Sequence, residues 1–392
     1  MFICSSKIFS YLILGIPPDI VPAARVFVLD DTGYKRLFRS ALGATVSVAL
    51  LLLLFRVADV REVASRITLF SAPGLALAVG ITLICIPLRA LQWQWLLGKP
   101  KSASFGEILR SLSLGYLGNC LLPMRGGELL RTYLLARAAS LRIGRVFVSV
   151  VLNRVQDLPP ILLLLMLTLG LLEFDRPLVF DGAGLLQDPV EIPPAQLTGA
   201  LHGFAWAIGI VAVAMLASFL FLEPIERLLL RLNSRLPRTW SARLELHILQ
   251  GVEAFRIVGR PSFFWGAQLL SAIGWMLFVA MGVPLLGDLG LGTAEAFRVS
   301  IAVLGLSVVA QMLPALPGAV GTFHVAAVLA LLLMKPETEP STAIAFSLVF
   351  HFVSNIVPGI VGLAYLPTSW SRFLGALAQR RRSGGETNPA GE

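Results

Sequence analysis

Apolar residues along this chain gather into long runs instead of alternating or recurring on one helical face. A hydrocarbon core about 30 Å thick needs about 20 helical residues to cross it. Runs of that order lie near residues 40–55, 72–97, 146–172, 201–222, 263–286 and 341–366. Two more apolar regions are broken in the middle by proline and glycine. Region 108–138 is interrupted by Pro123-Met124-Arg125-Gly126-Gly127-Glu128, and region 296–334 by Pro314-Ala315-Leu316-Pro317-Gly318-Ala319-Val320-Gly321. The pattern predicts an all-α polytopic membrane protein of six full spans plus two broken segments, or eight helical membrane segments by a cruder count.

Charges between the runs suggest their sides, because cytoplasmic loops collect Lys and Arg. Segment 223–260 carries Arg227, Arg231, Arg235, Arg238, Arg243, Arg256 and Arg260 and is expected to be a cytoplasmic basic helical linker. The same side suits Lys35, Arg36 and Arg39, and the tail at 367–392 with Arg372, Arg380, Arg381 and Arg382, which reads as disordered. Residues 173–199 set Glu173, Asp175, Asp181, Asp188 and Glu191 against Arg176 and suit the outer side. Lys99 and Lys101 precede the first broken region, and Arg137, Arg142 and Arg145 follow it, so both its ends read as cytoplasmic. Asp288 precedes the second, and Lys335-Pro336-Glu337-Thr338-Glu339 closes it, so both of its ends read as external.

A segment that enters and leaves by one face is a re-entrant hairpin. Charge parity therefore gives span, span, hairpin from inside, span, and then the same order upside down. This is the inverted-repeat plan of many transporters, whose discontinuous helices meet near the midplane and build the substrate site. The expected organisation is one domain over 39–366, with pseudo-repeats at about 39–172 and 200–366, preceded by an N-terminal extension at 1–38. The competing plan makes each broken region two short full spans, for which pieces of roughly 10–18 residues are marginal.

Composition narrows the class further. The chain of 392 residues is 56% hydrophobic and 14% charged, and its mean hydropathy is +0.80. A soluble domain carries about 25% charged residues, so a soluble enzyme, a fibre and a disordered chain are excluded. The net charge of +9 sits between apolar runs, which suits topology and anionic headgroups and not nucleic acid. Cys4, Cys85 and Cys120 have no metal-ligand or disulfide spacing, and the histidines are equally scattered. No metal or other cofactor is expected.

Ionisable residues inside apolar segments carry the functional signal, because each normally faces a cavity or a partner. Arg125 and Glu128 lie in the first break, and Arg131 shares a helix face with Glu128. Gly126 and Gly127 permit close approach and unusual dihedrals at a hairpin tip. With Glu128 opening the second half-helix, free N–H groups and the positive dipole end join Arg125 in a site for an anion, most simply a phosphate. The alternative is an Arg125–Glu128 pair that pins the hairpin. Arg154 and Asp157 also share a face beside Asn153, followed by Pro159-Pro160, which frees backbone carbonyls. That pair is either structural or a second cation for the same headgroup, with Asp157 holding its orientation. Arg89, with Gln92, Trp93, Gln94 and Trp95, reads as an interfacial anchor in which a snorkelling arginine joins an aromatic belt. In the second break, Pro314, Pro317, Gly318 and Gly321 form the tip and His324 follows, either a hydrogen-bonded helix residue or a candidate proton relay. His351, Asn355 and Gln311 suit interhelical hydrogen bonds.

Taken in order, Arg89-Ala-Leu-Gln-Trp93, Leu122-Pro123-Met124-Arg125-Gly126-Gly127-Glu128-Leu-Leu-Arg131, Asn153-Arg154-Val-Gln-Asp157 and Pro314…Pro317-Gly318-Ala-Val-Gly321 resemble one family. It is the lysylphosphatidylglycerol synthase transmembrane region, flippase-like membrane proteins of bacteria and archaea, and the likeness runs from about Arg39 to Leu366. The resemblance implies a lipid-flipping or lipid-binding fold with two re-entrant hairpins, in a bacterial or archaeal cytoplasmic membrane, with both termini inside. Bifunctional members carry a soluble aminoacyltransferase domain after the membrane part; this chain ends soon after its last span and is expected to lack it. Two positions depart from the family pattern. His324 stands where a Glu is usual, and Asn153 where a Glu often precedes the Arg-x-x-Asp arginine.

The expected function is translocation or binding of an anionic lipid, such as an aminoacyl-phospholipid or a polyprenyl-phosphate-linked glycan. Arg125, Arg131 and Arg154 would hold the phosphate, with Glu128, Asp157 and Asn153 orienting them. No catalytic residue is assigned. The alternative is a membrane-embedded enzyme of lipid or glycan assembly, or an accessory subunit to a lipid synthase or glycosyltransferase.

Overall fold

The computed structural model describes residues 59–122, 126–171, 178–180, 190–193, 261–311 and 317–366, with scattered single residues elsewhere. The expected spans at 40–55 and 201–222 fall largely outside these residues. So do the extension at 1–38, the linker at 223–260 and the tail at 367–392, together with Pro123, Arg125 and Pro314.

Helix dominates the described chain. A short helix α1 (Val60–Ile67) precedes α2 (Ala72–Leu96); α3 (Phe105–Leu121) and α4 (Gly127–Ala138) flank the first break, and α5 (Ile143–Leu171) follows. After these come α6 (Pro261–Gly287), α7 (Thr293–Ala310), a 3-10 turn (Pro317–Ala319), α8 (Thr322–Met334), α9 (Pro340–His351), a π segment (Phe352–Ile356) and α10 (Val357–Ala364). One feature departs from an all-helical reading. Strands β1 (Leu178–Phe180) and β2 (Val190–Ile192) pair antiparallel, a ribbon too short for hydrophobic alternation to register in the sequence.

Among the described residues, six helical stretches are long and apolar enough to cross a membrane: Ala72–Leu96, Ile143–Leu171, Phe264–Gly287, Thr293–Ala310, Pro317–Met334 and Pro340–Ala364. Four coincide with expected spans. The other two are the arms of the second broken region, which by length alone accommodates two crossings. The arms of the first are shorter, 17 and 12 residues, and a 12-residue helix reaches only about 18 Å.

Helix ends follow from local chemistry. Ser104 caps α3 in a reciprocal box, its hydroxyl taking the Glu107 amide while the Glu107 carboxylate takes the Ser104 amide at 3.0 Å. Ser71 caps α2, and Asp288, just past α6, accepts from the Ser71 amide at 3.0 Å and its hydroxyl at 2.7 Å. That bond ties the start of α2 to the end of α6. Further along the same pair, Thr82 meets Met281, Cys85 meets the Gly274 carbonyl, and Gly266 lies against Trp95. The two helices therefore run antiparallel over their full length. At the rim, Lys335 bridges Glu295 and Glu337, each at 2.7 Å. Those hydrogen bonds hold the Lys335 amine above its ordinary value, and the bond from Lys335 holds the Glu337 carboxyl below its own.

The packing is reciprocal between the two halves. The last helix of the second half, α10, lies on α3, where Gly362 and Gly359 leave room for Ser113, Leu117 and Cys120. The last helix of the first half, α5, lies on α7, where Thr168 fills the space at Gly305 and donates to the Ile301 carbonyl at 3.2 Å. Each half thus covers the first arm of the other's broken region.

Both broken regions turn back on themselves. Gly115 and Gly118 of α3 face Arg131, Leu130 and Gly127 of α4, which fixes an antiparallel hairpin. Gly126 has ordinary right-handed dihedrals (φ −57°, ψ −14°), so the expected unusual backbone is not what demands glycine there. Space demands it at Gly127, where a Cβ would run into the Gly115 carbonyl and Asn119. In the second break the backbone itself requires glycine, with φ of +73° at Gly318 and +92° at Gly321.

Candidate functional site: an arginine cluster between the hairpin and three spans

Five ionisable side chains from α2, α4 and α5 form one continuous chain of ion pairs. Arg131 Nη2 lies 2.6 Å from Glu128 Oε2, and the other Glu128 oxygen pairs with Arg154 Nη2. Arg154 Nη1 stands 3.5 Å from Asp157 Oδ2, while Asp157 Oδ1 pairs with Arg89 Nη1. The i, i+3 spacings put Glu128 with Arg131, and Arg154 with Asp157, on shared helix faces. Tertiary packing then joins the two pairs through Glu128. Arg125 lies outside the described residues; Asn153 accepts from Arg131 Nη2 at 3.3 Å.

Arg89 corrects the sequence reading. It is not a snorkelling anchor: it is 7% exposed, and its guanidinium lies over the Trp275 and Phe278 rings. Its helix turns it inward, where Gly274 of α6 leaves the space it fills. Asp157, 3% exposed, is the hub beside it. Besides both arginines it accepts from Ser271 Oγ at 2.7 Å and Trp275 Nε1 at 3.2 Å, so three spans converge on one carboxylate.

The balance of charge and of hydrogen bonds decides what this arrangement can hold. Among the described residues, three guanidiniums face two carboxylates, which leaves a surplus positive charge in a site formed partly by helices long and apolar enough to cross a membrane. Arg154 is the accessible member, with 47% of its side chain exposed. Tyr116 of α3 stands within electrostatic reach of Arg89, Arg131 and Arg154. The N-terminus of α4 has no side-chain cap, so its first N–H groups add positive potential beside Glu128. Pro159 and Pro160 withhold the donors that the Val155 and Gln156 carbonyls would meet in a regular helix.

The second break lies close by. Its 3-10 turn packs against α3, and the π segment meets the end of that helix, where Cys120 Sγ donates to the Asn355 carbonyl at 3.3 Å. His351 Nε2 is 2.7 Å from the Gly318 carbonyl, and the His324 ring is 4.6 Å from the His351 ring, centroid to centroid. Buried at 4% exposure, His324 keeps Nδ1 without a partner. The tip residues Pro317, Gly318 and Gly321 therefore stand beside a histidine pair, and the two breaks meet around the C-terminal end of α3.

Comparison with known proteins places this architecture. Residues 40–362 match the family model described as the lysylphosphatidylglycerol synthase TM region. The chain belongs to that family. Within the lysylphosphatidylglycerol synthase TM region the match spans every element described above except the last two residues of α10. A protein of Haloferax volcanii named Glycosyltransferase AglD is 24% identical over 339 residues, which are 82% of this chain and 53% of that one. The chain thus spans about half the length of the curated relative it matches.

Sequence reasoning placed four contributors to the cluster elsewhere or nowhere, Gln92 having been read only as part of an interfacial anchor. Gln92 accepts from Arg89 at 3.1 Å, and their i, i+3 spacing was a usable signal. Gln156 adjoins Asp157, whereas Ser271 and Trp275 come from a helix more than a hundred residues away and carried no local signal.

Proposed function

We propose that this membrane protein binds an anionic lipid by its phosphate at the Arg89–Asp157–Arg154–Glu128–Arg131 cluster and moves it between leaflets. The single observation that carries the reading is the surplus guanidinium charge, with Arg154 half exposed at its edge. A charge at membrane depth is costly unless it meets a partner, and the remaining positive charge is answered by a phosphate. Arg125, expected from the sequence to hold the same phosphate, lies outside the described residues. Glu128, Asp157 and Asn153 orient the arginines. The two broken segments act as re-entrant hairpins that open alternately to either side, with His324 and His351 as the candidate route for a coupled proton. The likeness to a protein named for glycosyl transfer favours a lipid used in glycan assembly, with a glycosyltransferase or lipid synthase as partner, in a bacterial or archaeal cytoplasmic membrane.

Reconstitution tests this directly. Proteoliposomes containing the full chain should expose fluorescent phosphatidylglycerol to dithionite faster than protein-free vesicles. Arg154→Gln should slow that exposure by about tenfold or more, the effect of one hydrogen bond to a charged group. Wild-type vesicles no faster than empty ones, or an Arg154→Gln rate equal to wild type, would contradict the proposal.

A further inference from the structure

Besides charge, the cluster holds more unmatched hydrogen-bond donors than acceptors, the open acceptors being Gln156 Oε1 and Glu128 Oε2, the latter ion-paired with Arg131. Arginine only donates, so the guanidinium against each neighbouring carboxamide settles which way the amide faces. Gln92 turns its oxygen to Arg89 at 3.1 Å and Asn153 turns its oxygen to Arg131 at 3.3 Å. Their amide nitrogens, Nε2 and Nδ2, are left without partners, as is Arg131 Nε. Gln156, one helical turn from Asn153, has neither its nitrogen nor its oxygen matched. These side chains are deeply buried: Gln92 is 0% exposed, Asn153 5%, Arg131 2% and Gln156 2%.

Buried donors without acceptors are costly and call for oxygen atoms supplied from elsewhere. An ammonium group brings only further donors. It also brings positive charge into a site whose two carboxylates are already shared among three arginines. A hydroxyl both accepts and donates, which fits the two open ends of Gln156, and a phosphate supplies several acceptors at once. We propose that the headgroup completing this site is an anionic, hydroxyl-rich one, a polyol or sugar phosphate, and that the site selects against amine-bearing headgroups such as that of lysylphosphatidylglycerol. The inference rests on the phosphate reading above and adds the chemistry of the rest of the headgroup.

Native mass spectrometry of the full chain tests it, with an equimolar mixture of diacylglycerol, phosphatidic acid, phosphatidylinositol and lysylphosphatidylglycerol of matched acyl chains. Phosphatidylinositol should be retained about tenfold over lysylphosphatidylglycerol, and Gln156→Leu should lower its retention about tenfold while affecting phosphatidic acid far less. Lysylphosphatidylglycerol retained as well as phosphatidylinositol would overturn the inference, and so would equal losses of phosphatidylinositol and phosphatidic acid in Gln156→Leu. If phosphatidic acid outcompetes diacylglycerol but no headgroup preference appears, the selectivity alone fails. If phosphatidic acid does no better than diacylglycerol, the phosphate reading fails and takes the selectivity with it.

Discussion

Asp157→Ala should destabilise the protein by about 3–5 kcal/mol, the range found when one partner of a buried ion pair is removed. The carboxylate holds Arg89 of α2, Arg154 of its own helix, and Ser271 and Trp275 of α6. Without it, the Arg89 guanidinium stays 7% exposed and loses its only anionic partner among the described residues. Two donors on α6 lose their acceptor as well. The expected readout is a fall in the thermal unfolding midpoint in detergent on the order of 10 °C. Asp157→Asn, which keeps the shape and one acceptor, should fall less. The double variant Arg89→Leu/Asp157→Leu should recover much of the loss, since an apolar pair of similar volume often matches or exceeds a buried ion pair. A midpoint unchanged in Asp157→Ala would show that the carboxylate does not join the three spans.

Glu128→Gln should have the largest effect on function. Glu128 lies in the first turn of α4 and bridges Arg131 and Arg154 with its two oxygens. A lipid phosphate presents the same chemistry, so under the proposed function this carboxylate competes with the headgroup for the arginines that it also orients. Removing its charge leaves three guanidiniums against Asp157 alone. Retention of phosphatidic acid should then rise by about tenfold, as expected when a charge-assisted competitor is withdrawn. Transbilayer movement should fall, because nothing displaces the phosphate on release. Weaker retention in Glu128→Gln would mean that the carboxylate only positions the arginines and does not compete with the ligand.

Much of this site was legible in the sequence because its pairs are local. Glu128 with Arg131, and Arg154 with Asp157, are each three residues apart on a helix, and helix geometry alone puts each pair on one face. The breaks were equally legible, since Pro317, Gly318 and Gly321 cannot continue a helix unaltered. Arg89 was misread because its local context, an arginine between tryptophans near a span's end, is also the signature of an interfacial anchor. Its partner Asp157 lies 68 residues away, and only packing of α2 on α5 brings them together. Gln92 was misread with Arg89, and Gln156 was given no role, for a related reason: a carboxamide in an apolar run is unremarkable until its neighbours are known. At Gly127 close approach of α3, not special dihedrals, sets the requirement for glycine, whereas Gly126 has ordinary dihedrals.

The most direct measurement is a cryo-electron microscopy map of the full chain in nanodiscs containing an anionic lipid, phosphatidylglycerol or phosphatidylinositol. The account requires headgroup density within hydrogen-bonding distance, about 3 Å, of the Arg154 and Arg131 guanidiniums, between α4 and α5. Acyl-chain density at those arginines, or a lipid-transporting protein with no headgroup near them, would contradict it.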